Sequence, residues 1–339
     1  MNKIAMAMAV AGLFSACSVS AEKPKSDHAG PSGTLLVGNK GEDSLSFIDL
    51  ASGREVARRD TGKNPHEVAI SPDGRLAAVV SYGAAHIDIF DIAAREKIET
   101  INLSPGKSPH GIIWLDDGRI IASTEGSDSI TVVSPPSGDN QTRAISQIST
   151  GQKGSHMVAV SPDKKRAYTS NMQSGTVTVL DLANESKIAD LPAGTEPEGL
   201  AITPDGKTLW VADRRSDELR IFDTSNLTEL ATIKTGKFPI RVAISPDGET
   251  AVTSDLGDGA LSLFDVEKRE LKSTIKVSGS QQAGQVTILF SRDGKRLYVA
   301  ETGLNKIAEI DMVNGHLIGR LAGGTNGDGL GIAEALTTE

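Results

Sequence analysis

Apolar and polar residues alternate in short runs that recur along the whole chain. The clearest runs each end in an aspartate: Ile87–Asp91, Val177–Asp181, Leu219–Asp223 and Leu261–Asp265. Alternation with a period of two predicts β-strands that pack one face against a neighbouring element. Together with β-rich runs such as Leu76–Ser81 and Glu229–Ile233, it predicts a unit of strand, tight turn, strand, loop, strand, turn and strand. We expect the aspartates that end these strands, Asp311 included, to cap the following turns.

A seven-residue pattern built on Ser-Pro-Asp-Gly occurs six times. The copies are Val68–Gly74, Ile112–Gly118, Val158–Lys164, Leu200–Gly206, Val242–Gly248 and Ile288–Gly294. Proline presets φ at the second turn position, aspartate caps locally, and glycine takes the left-handed residue. Lys164 and Arg292 depart from the pattern, so their turns should be less ideal.

The shared aspartates of these copies are 44, 46, 42, 42 and 46 residues apart. A period of about 40–50 residues made of strands and turns is typical of a β-propeller. The N-terminal piece from Leu35 lacks the first strand of a unit, and Asp328–Ala333 resembles that strand. The sequence therefore predicts an all-β fold, a seven-bladed β-propeller of four-stranded antiparallel blades. The C-terminal strand completes the N-terminal blade, so that no edge strand is left free.

The composition agrees with one large domain and restricts the partners. The chain has 339 residues, a net charge of −9 and 38% hydrophobic residues. An acidic surface repels phosphate backbones, so we expect no binding of nucleic acid.

The first residues predict export. Lys3 precedes an apolar run, Ile4–Phe14, which is too short to span a bilayer. One interpretation is a signal peptide over residues 1–21, cut after Ala21. The other is a lipoprotein signal over residues 1–16, because Leu13–Cys17 resembles a bacterial lipobox with Cys17 lipidated. Residues 22–33 would be a flexible tether and residues 34–339 the propeller. Cys17 is the single cysteine, so burial rather than a disulfide must stabilise the fold. We expect a periplasmic protein or a lipoprotein at the outer membrane or cell surface of a bacterium.

The unit resembles the YVTN-type repeat of bacterial β-propellers. Arg296–Glu301 is close to the segment that gives the repeat its name, and Asn39 and Asn171 match its asparagine. The resemblance covers about residues 34–336, and it implies an exported or surface seven-bladed propeller. More distant relatives resemble lactonases and the propellers of nitrous oxide and nitrite reductases. The chain has no Cys-x-x-Cys-His sequence, so a haem is not supported.

One candidate site lies at the start of the first strand of each unit. Counting seven residues back from each repeat aspartate, and aligning the shared blade, gives His66, His110, His156, Glu198, Ile240, Val286 and Asp328. Three of the six histidines of the chain occupy this one position. Imidazole with carboxylate suits a divalent metal such as zinc, copper or nickel, held by His66, His110, His156, Glu198 and Asp328. Alternatively, a histidine there caps the loop between blades through a backbone carbonyl.

A second candidate ring follows eight residues after each repeat aspartate. It contains Ser81, Glu125, Asn171, Asp213, Asp255, Glu301 and, in the shared blade, Asn39. We expect ligand binding at Glu125, Asn171, Asp213, Asp255, Glu301 and Asn39, and the carboxylates would concentrate small cations. The alternative is that they are solvated loop tips. Neighbouring loops carry Tyr82, Met172, Arg214 and Arg215 on the same face.

Three functions remain open at this point. The first is a binding module that holds a small molecule, a metal or another envelope protein at the channel mouth. The second is a metal-dependent, lactonase-like hydrolase in which the metal polarises a carbonyl and a carboxylate acts as general base. The third is a structural or adhesive surface protein. The sequence holds no nucleophile motif. We expect a monomer that contacts the membrane only through a lipid anchor.

Overall fold

In the computed structural model, residues 32–139 and 142–334 are described. They form seven four-stranded sheets in which neighbouring strands are antiparallel, with three single-turn 3-10 helices, Glu125–Ser127, Gln281–Ala283 and Thr302–Leu304. The predicted seven-bladed all-β fold is confirmed. Of the helices in these two ranges, none is long and apolar enough to cross a membrane. The signal, Cys17 and most of the tether lie outside the described residues, and the first strand begins at Gly33.

Each blade is one sheet whose strands follow one another from the centre outwards. Blade 1 contains, from the centre outwards, β28 (Gly327–Glu334), β1 (Gly33–Asn39), β2 (Ser44–Asp49) and β3 (Arg54–Asp60). Blade 2 contains β4 (Pro65–Ile70), β5 (Leu76–Ser81), β6 (His86–Asp91) and β7 (Glu96–Asn102). Blade 3 contains β8 (Pro109–Trp114), β9 (Ile120–Thr124), β10 (Ser129–Val133) and β11 (Ile145–Ser149).

The remaining blades repeat this order. Blade 4 contains β12 (Ser155–Val160), β13 (Arg166–Asn171), β14 (Thr176–Asp181) and β15 (Ser186–Pro192). Blade 5 contains β16 (Pro197–Ile202), β17 (Thr208–Asp213), β18 (Glu218–Asp223) and β19 (Glu229–Lys234). Blade 6 contains β20 (Pro239–Ile244), β21 (Thr250–Asp255), β22 (Ala260–Asp265) and β23 (Glu270–Lys276). Blade 7 contains β24 (Gln285–Phe290), β25 (Arg296–Glu301), β26 (Lys306–Asp311) and β27 (His316–Ala322).

The ring closes in blade 1 as the sequence predicts. Strand β28, from the C-terminal end, pairs with β1 from Gly33↔Glu334 to Asn39↔Gly327. The innermost strands contact one another around the centre, from β4 against β8 to β24 against β28 and β28 against β4. The core lies between blades, where faces such as those of β5, β6 and β9 bury their aliphatic side chains. The closed ring thus brings the starting ends of seven innermost strands together around one channel.

The Ser-Pro-Asp-Gly turns adopt the predicted geometry, and so does the turn of Arg292, contrary to expectation, since Ser291 Oγ donates to Asp293 Oδ1 at 2.8 Å there. In the Ser-Pro-Asp-Gly turn of blade 2, Ser71 Oγ donates to Asp73 Oδ1 at 2.6 Å, and Gly74 has φ of 72°. Lys164 occupies the glycine position of its turn with φ of 59°, a region that costs an L-residue free energy. At the other turns, Asp181 Oδ1 accepts the backbone amides of Ala183 and Asn184, which confirms the capping role of the strand-ending aspartates.

Candidate functional site

The channel mouth is lined by the second residue of each innermost strand, which we call the inner row. In each blade, the first residue of the innermost strand pairs with the last residue of the second strand, as in Pro65↔Ser81 and Pro109↔Thr124. The inner-row residue comes directly after that first residue. The inner row consists of His66, His110, His156, Glu198, Ile240, Val286 and Asp328. The structure therefore brings all five predicted metal ligands to one level of the channel.

A β-bulge interrupts the pairing of every innermost strand at this level, for example between Pro239 and Arg241. A bulge re-aims side chains that regular alternation would turn to opposite faces. Consequently the residue after the inner-row residue also reaches the channel in three blades. It is Glu67 in blade 2, Arg241 in blade 6 and Thr287 in blade 7. These three residues were missed by sequence reasoning. For Glu67 and Arg241 the signal was a charged residue inside an otherwise apolar strand, whereas Thr287 gave none.

The three histidines of the inner row form a stack. The ring centroids of His66 and His110 are 4.3 Å apart, and those of His110 and His156 are 3.7 Å apart. Tyr82 covers the stack from the loop after β5, with its ring 5.1 Å from that of His66. His110, in the middle, is 3% exposed, and among the described residues its Nδ1 has no hydrogen-bond partner.

Burial lowers the pKa of His110 well below its usual range, and the charges of His156 and Arg241 act in the same direction. The central ring of the stack is therefore a neutral imidazole near pH 7.

At one end of the stack, His66 lies against a buried carboxylate. Its Nδ1 is 3.3 Å from Oδ2 of Asp328, which also pairs with Nζ of Lys40 at 2.8 Å. Burial alone would raise the pKa of Asp328, but the contact with His66 and the charges of Lys40 and Arg241 lower it strongly. Asp328 is thus a carboxylate in contact with the imidazole of His66, whose Nδ1 has no hydrogen-bond partner among the described residues.

At the other end, His156 lies between two carboxylates. Its Nδ1 is 2.9 Å from Oε2 of Glu125, and its Nε2 is 3.5 Å from Oε1 of Glu198. Burial works to lower the pKa of His156, but the two carboxylates outweigh it and raise that pKa. Burial likewise works to raise the pKa of Glu198, yet His156 and Arg241 lower it to about 2. The two carboxylates therefore favour the protonated form of His156.

The first residue after each second strand forms a further row, which we call the loop row. It consists of Lys40, Tyr82, Glu125, Met172, Arg214, Leu256 and Thr302. Four of its side chains contact the inner row, since Lys40 meets Asp328, Tyr82 meets His66, Glu125 meets His156 and Arg214 meets Glu198. In blades 6 and 7 both rows are uncharged. The mouth therefore has a charged arc over blades 1 to 5 and an uncharged arc beside it.

The structure corrects the predicted position of Glu125. The turn of blade 3 is one residue shorter than the others, because Leu115 N bonds Arg119 O whereas Ser71 N bonds Leu76 O. Thr124, not Glu125, consequently pairs with Pro109 and takes the ring position of Ser81 and its equivalents. A fixed offset along the sequence cannot detect a one-residue deletion in a turn.

The other members of the predicted second ring are fully buried inside their blades. They are Ser81, Asn171, Asp213, Asp255, Glu301 and Asn39. Asp213 accepts the backbone amides of Thr195 and Glu196, and Asn39 accepts that of Gly324. Asp213 and Asn39 thus fasten loops between blades, and none of the six is a solvated tip as in the alternative interpretation. Ligand binding by Asn39, Asn171, Asp213, Asp255 and Glu301 stays a prediction.

The arrangement does not fit a divalent metal well. Glu198 is paired with Arg241 at 2.9 Å and with Arg214, and Asp328 with Lys40, so cations already occupy the carboxylates. Among the described residues, no group of three or more His, Cys, Asp or Glu side chains is arranged to hold a metal ion. Zinc, copper or nickel at this site stays a prediction.

The chain belongs to a known propeller family. The family model described as "Lactonase, 7-bladed beta-propeller" matches residues 38–240, which is more than half of the chain. The expected resemblance to lactonase-type propellers is therefore confirmed. No curated protein matches the chain significantly.

Solved structures share the fold at low sequence identity. A protein of unknown function from Desulfotomaculum acetoxidans DSM 771 is 17% identical with a TM-score of 0.75, covering 89% of this chain and 99% of its own. Hydrazine synthase of Kuenenia stuttgartiensis is 19% identical with a TM-score of 0.71, covering 88% and 99%. A candidate 6-phosphogluconolactonase from Bacteroides fragilis NCTC 9343 is 18% identical with a TM-score of 0.70, covering 91% and 99%. At these identities the likeness establishes the fold alone.

Proposed function

We propose that this protein hydrolyses a small cyclic ester, a lactone, at the channel mouth. The observation that carries the proposal is a row of three stacked histidines whose two outer members each contact a carboxylate, Asp328 or Glu125. Membership of the lactonase propeller family supports the same reaction class. A base oriented by a carboxylate, with a proton donor nearby, is what acyl transfer to water requires.

The two ends of the stack suit different roles in that reaction. His66, oriented by Asp328, takes the proton of a water molecule whose oxygen attacks the lactone carbonyl carbon. The ring C–O bond then breaks, and the imidazolium of His156 gives its proton to the leaving alkoxide, so that a hydroxy acid forms. Exchange of protons with solvent restores both histidines. The raised pKa of His156 suits the acid role, because the carboxylates beside it favour its protonated form.

The uncharged arc of blades 6 and 7 offers a place for the part of the lactone that does not react. Ile240 and Val286 from the inner row and Leu256 from the loop row lie there, and the last two are partly exposed. An aliphatic ring carbon placed against them removes apolar surface from water, which favours binding.

The test measures hydrolysis of a panel of aliphatic and sugar lactones. The protons released are titrated at constant pH, with and without a chelator. We expect turnover that survives the chelator and falls by about 100-fold or more in His66→Gln and in His156→Gln. The control is His316→Ala, an exposed histidine on the outermost strand β27. Absence of turnover by the unchanged protein on every lactone would contradict the proposal.

The alternative is a binding module without catalysis. It is favoured by the ion pairs that already satisfy Glu198 and Asp328, because a preformed and paired site binds at little cost in ordering. A lactone that raises the melting temperature progressively as its concentration increases, with no product formed, would support binding alone. The structural or adhesive alternative requires that neither effect is seen.

We further propose export, with Cys17 as the anchor to the membrane. The support is the leader pattern in the sequence, including the lipobox-like segment before Cys17. The intact mass of the protein from a membrane fraction tests this. A lipid-modified N-terminus at Cys17 is expected, and an unmodified N-terminus at Glu22 would favour cleavage after Ala21 instead.

A further inference from the structure

Arg241 is a buried arginine at the centre of the channel that the proposed reaction does not use. It is 6% exposed and follows Ile240 at the bulge of β20. Its two terminal nitrogens donate to Oε1 of Glu198 and to Oε1 of Glu67, both at 2.9 Å. Because Glu198 belongs to blade 5 and Glu67 to blade 2, this side chain in blade 6 spans the channel.

Each carboxylate that Arg241 holds leads to one outer histidine. On one side, Glu198 Oε1 faces Nε2 of His156 at 3.5 Å. On the other side, Thr287 Oγ1 lies 3.5 Å from Glu67 and 3.3 Å from Asp328, the partner of His66. Together with the histidine stack, these contacts form a closed ring of side chains around the channel. The ring contains at least one residue from every blade: Asp328, His66 with Glu67, His110, His156, Glu198, Arg241 and Thr287.

Stability alone does not require this arrangement. Taking a guanidinium and two carboxylates out of water is costly, and apolar replacements of buried ion pairs are often as stable or more stable. At the same level of the channel, Ile240 and Val286 show that aliphatic side chains are accommodated. What a guanidinium adds is geometry, because its planar fork fixes two carboxylates at once.

We propose that Arg241 is the positioning residue of the site, which holds the His156 and His66 ends of the stack in register through Glu198 and Glu67. The kinetic consequence of this inference rests on the proposed hydrolysis. Its structural consequence does not depend on it. Arg241 itself touches neither the lactone nor water in this scheme. Its removal should therefore slow the chemical step and leave substrate binding nearly unchanged.

The kinetic test compares Arg241→Lys and Arg241→Met with the unchanged protein. Displacement of catalytic groups by about 1 Å costs on the order of 100-fold in rate, so we expect kcat to fall by about that factor in Arg241→Met. KM should stay within about threefold of its value in the unchanged protein. Arg241→Lys keeps the positive charge but not the planar fork, so its kcat should lie between those of Arg241→Met and the unchanged protein. An equal loss in kcat for both variants, or a loss confined to KM, would overturn the proposal.

The structural test needs no substrate. In imidazole ¹H–¹⁵N spectra, the signals of His66 and His156 should both shift in Arg241→Lys, because one guanidinium holds both ends. A shift at only one of them, or at neither, would overturn the proposal whether or not lactones are hydrolysed. Since Arg241→Met removes the cation that Glu67 and Glu198 share, Arg241→Lys carries this test if the methionine variant does not fold.

The matched control is Arg220→Met on β18. Arg220 also pairs with two carboxylates, Glu229 at 3.1 Å and Glu218 at 3.7 Å, but these lie on blade 5 away from the channel. Its variant should leave kcat and both histidine signals unchanged. Shifts of the same size in this control would assign the effect to general loosening and overturn the proposal.

Discussion

At the scale of single residues, the identity of the side chain decides whether a repeated backbone conformation is strained. Each of the six repeat turns has a residue in the left-handed region, and in five of them it is glycine, as Gly74 and Gly206 show with φ of 72° and 73°. Lys164 adopts φ of 59° at the sixth, where its Cβ crowds the following carbonyl. The ion pair of Lys164 with Asp116 is exposed and worth little.

Lys164→Gly should therefore stabilise the protein. We expect the free energy of unfolding in urea to rise by about 0.5–1 kcal/mol, the strain relieved less the extra entropy of glycine in the unfolded chain. Lys165→Gly is the control, because this neighbour has no positive φ and should lose stability instead. Equal effects of the two substitutions would contradict the strain argument.

Two buried aspartates at one equivalent position titrate in opposite directions. Burial raises the pKa of Asp255 to about 6, although Ser262 and Thr253 donate hydroxyl hydrogen bonds to it. Burial also works to raise the pKa of Asp213, but the backbone amides of Thr195 and Glu196 and other donors lower it overall. Backbone amides thus stabilise the charged form where two hydroxyls do not.

This difference predicts opposite pH dependence for the two asparagine variants. The folded protein keeps the proton of Asp255 up to about pH 6, whereas the unfolded chain releases it near pH 4. Native stability is consequently lost as pH rises through that window. Asp255→Asn should escape this loss, so its stability relative to the unchanged protein should improve by about 1–3 kcal/mol between pH 4 and pH 7.

Asp213→Asn is the control for that experiment. The lowered pKa of Asp213 means that its carboxylate contributes stability above the unfolded pKa, which is lost only as pH falls through the folded pKa. Its variant should be less stable at pH 7 and should gain nothing between pH 4 and pH 7. Urea unfolding at several pH values measures both, and parallel curves for the two variants would refute the assignment.

At the scale of elements, close approach of the innermost strands sets the shape of the channel. A Cβ added to Gly329 on β28 would lie 1.9 Å from the carbonyl oxygen of His66 on β4. One added to Gly199 on β16 would lie 2.6 Å from Cα of Arg241 on β20. Glycine at these positions therefore lets neighbouring blades approach closely enough for the inner row to converge.

Gly329→Ala should push β28 away from β4. Overpacking against backbone costs about 1–3 kcal/mol, so we expect a loss of free energy of unfolding at or above the upper end of that range. Because Asp328 precedes this glycine, hydrolysis should fall as well. Gly319→Ala on the outermost strand β27 is the control, since an added Cβ there meets nothing within 4 Å. A neutral result at Gly329 would mean that the strands separate at no cost.

At the scale of the whole molecule, the first and last strands, β1 and β28, hold the ring closed. Strand β28 supplies the innermost position of blade 1, buries Leu330 and Ala333, and carries Asp328 into the site. Without it, β1 becomes a free edge, and the facing surfaces of blades 7 and 2 lose their apolar cover. Closure and the site therefore depend on the same strand.

Deletion of residues 327–339 should abolish cooperative unfolding. We expect the truncated chain to bind a hydrophobic dye, to aggregate on heating and to show no transition at the melting temperature of the complete protein. A shorter truncation that stops at Glu334 keeps β28 whole and should melt normally. Unchanged cooperative melting of the longer truncation would exclude this closure.

By itself the sequence determined the architecture of this protein. Strand period, turn chemistry and repeat spacing are local properties that each unit carries in its own residues. Six copies were therefore enough to predict the blades, the closure by Asp328–Ala333 and the equivalence of His66, His110 and His156. The lactonase-type resemblance followed from the same repeats.

Only the tertiary structure decided which side chains meet in the channel. A bulge in each innermost strand turned Arg241 and Glu67 inwards, and a turn one residue shorter moved Glu125 from the buried ring to His156. Both features change the direction of a side chain without changing the strand pattern. Contacts such as that of Arg241 with Glu67, which are 174 residues apart, depend on how seven blades close around one axis. Repeat counting finds equivalent positions, but charge and burial at those positions come from neighbours that are distant in the sequence.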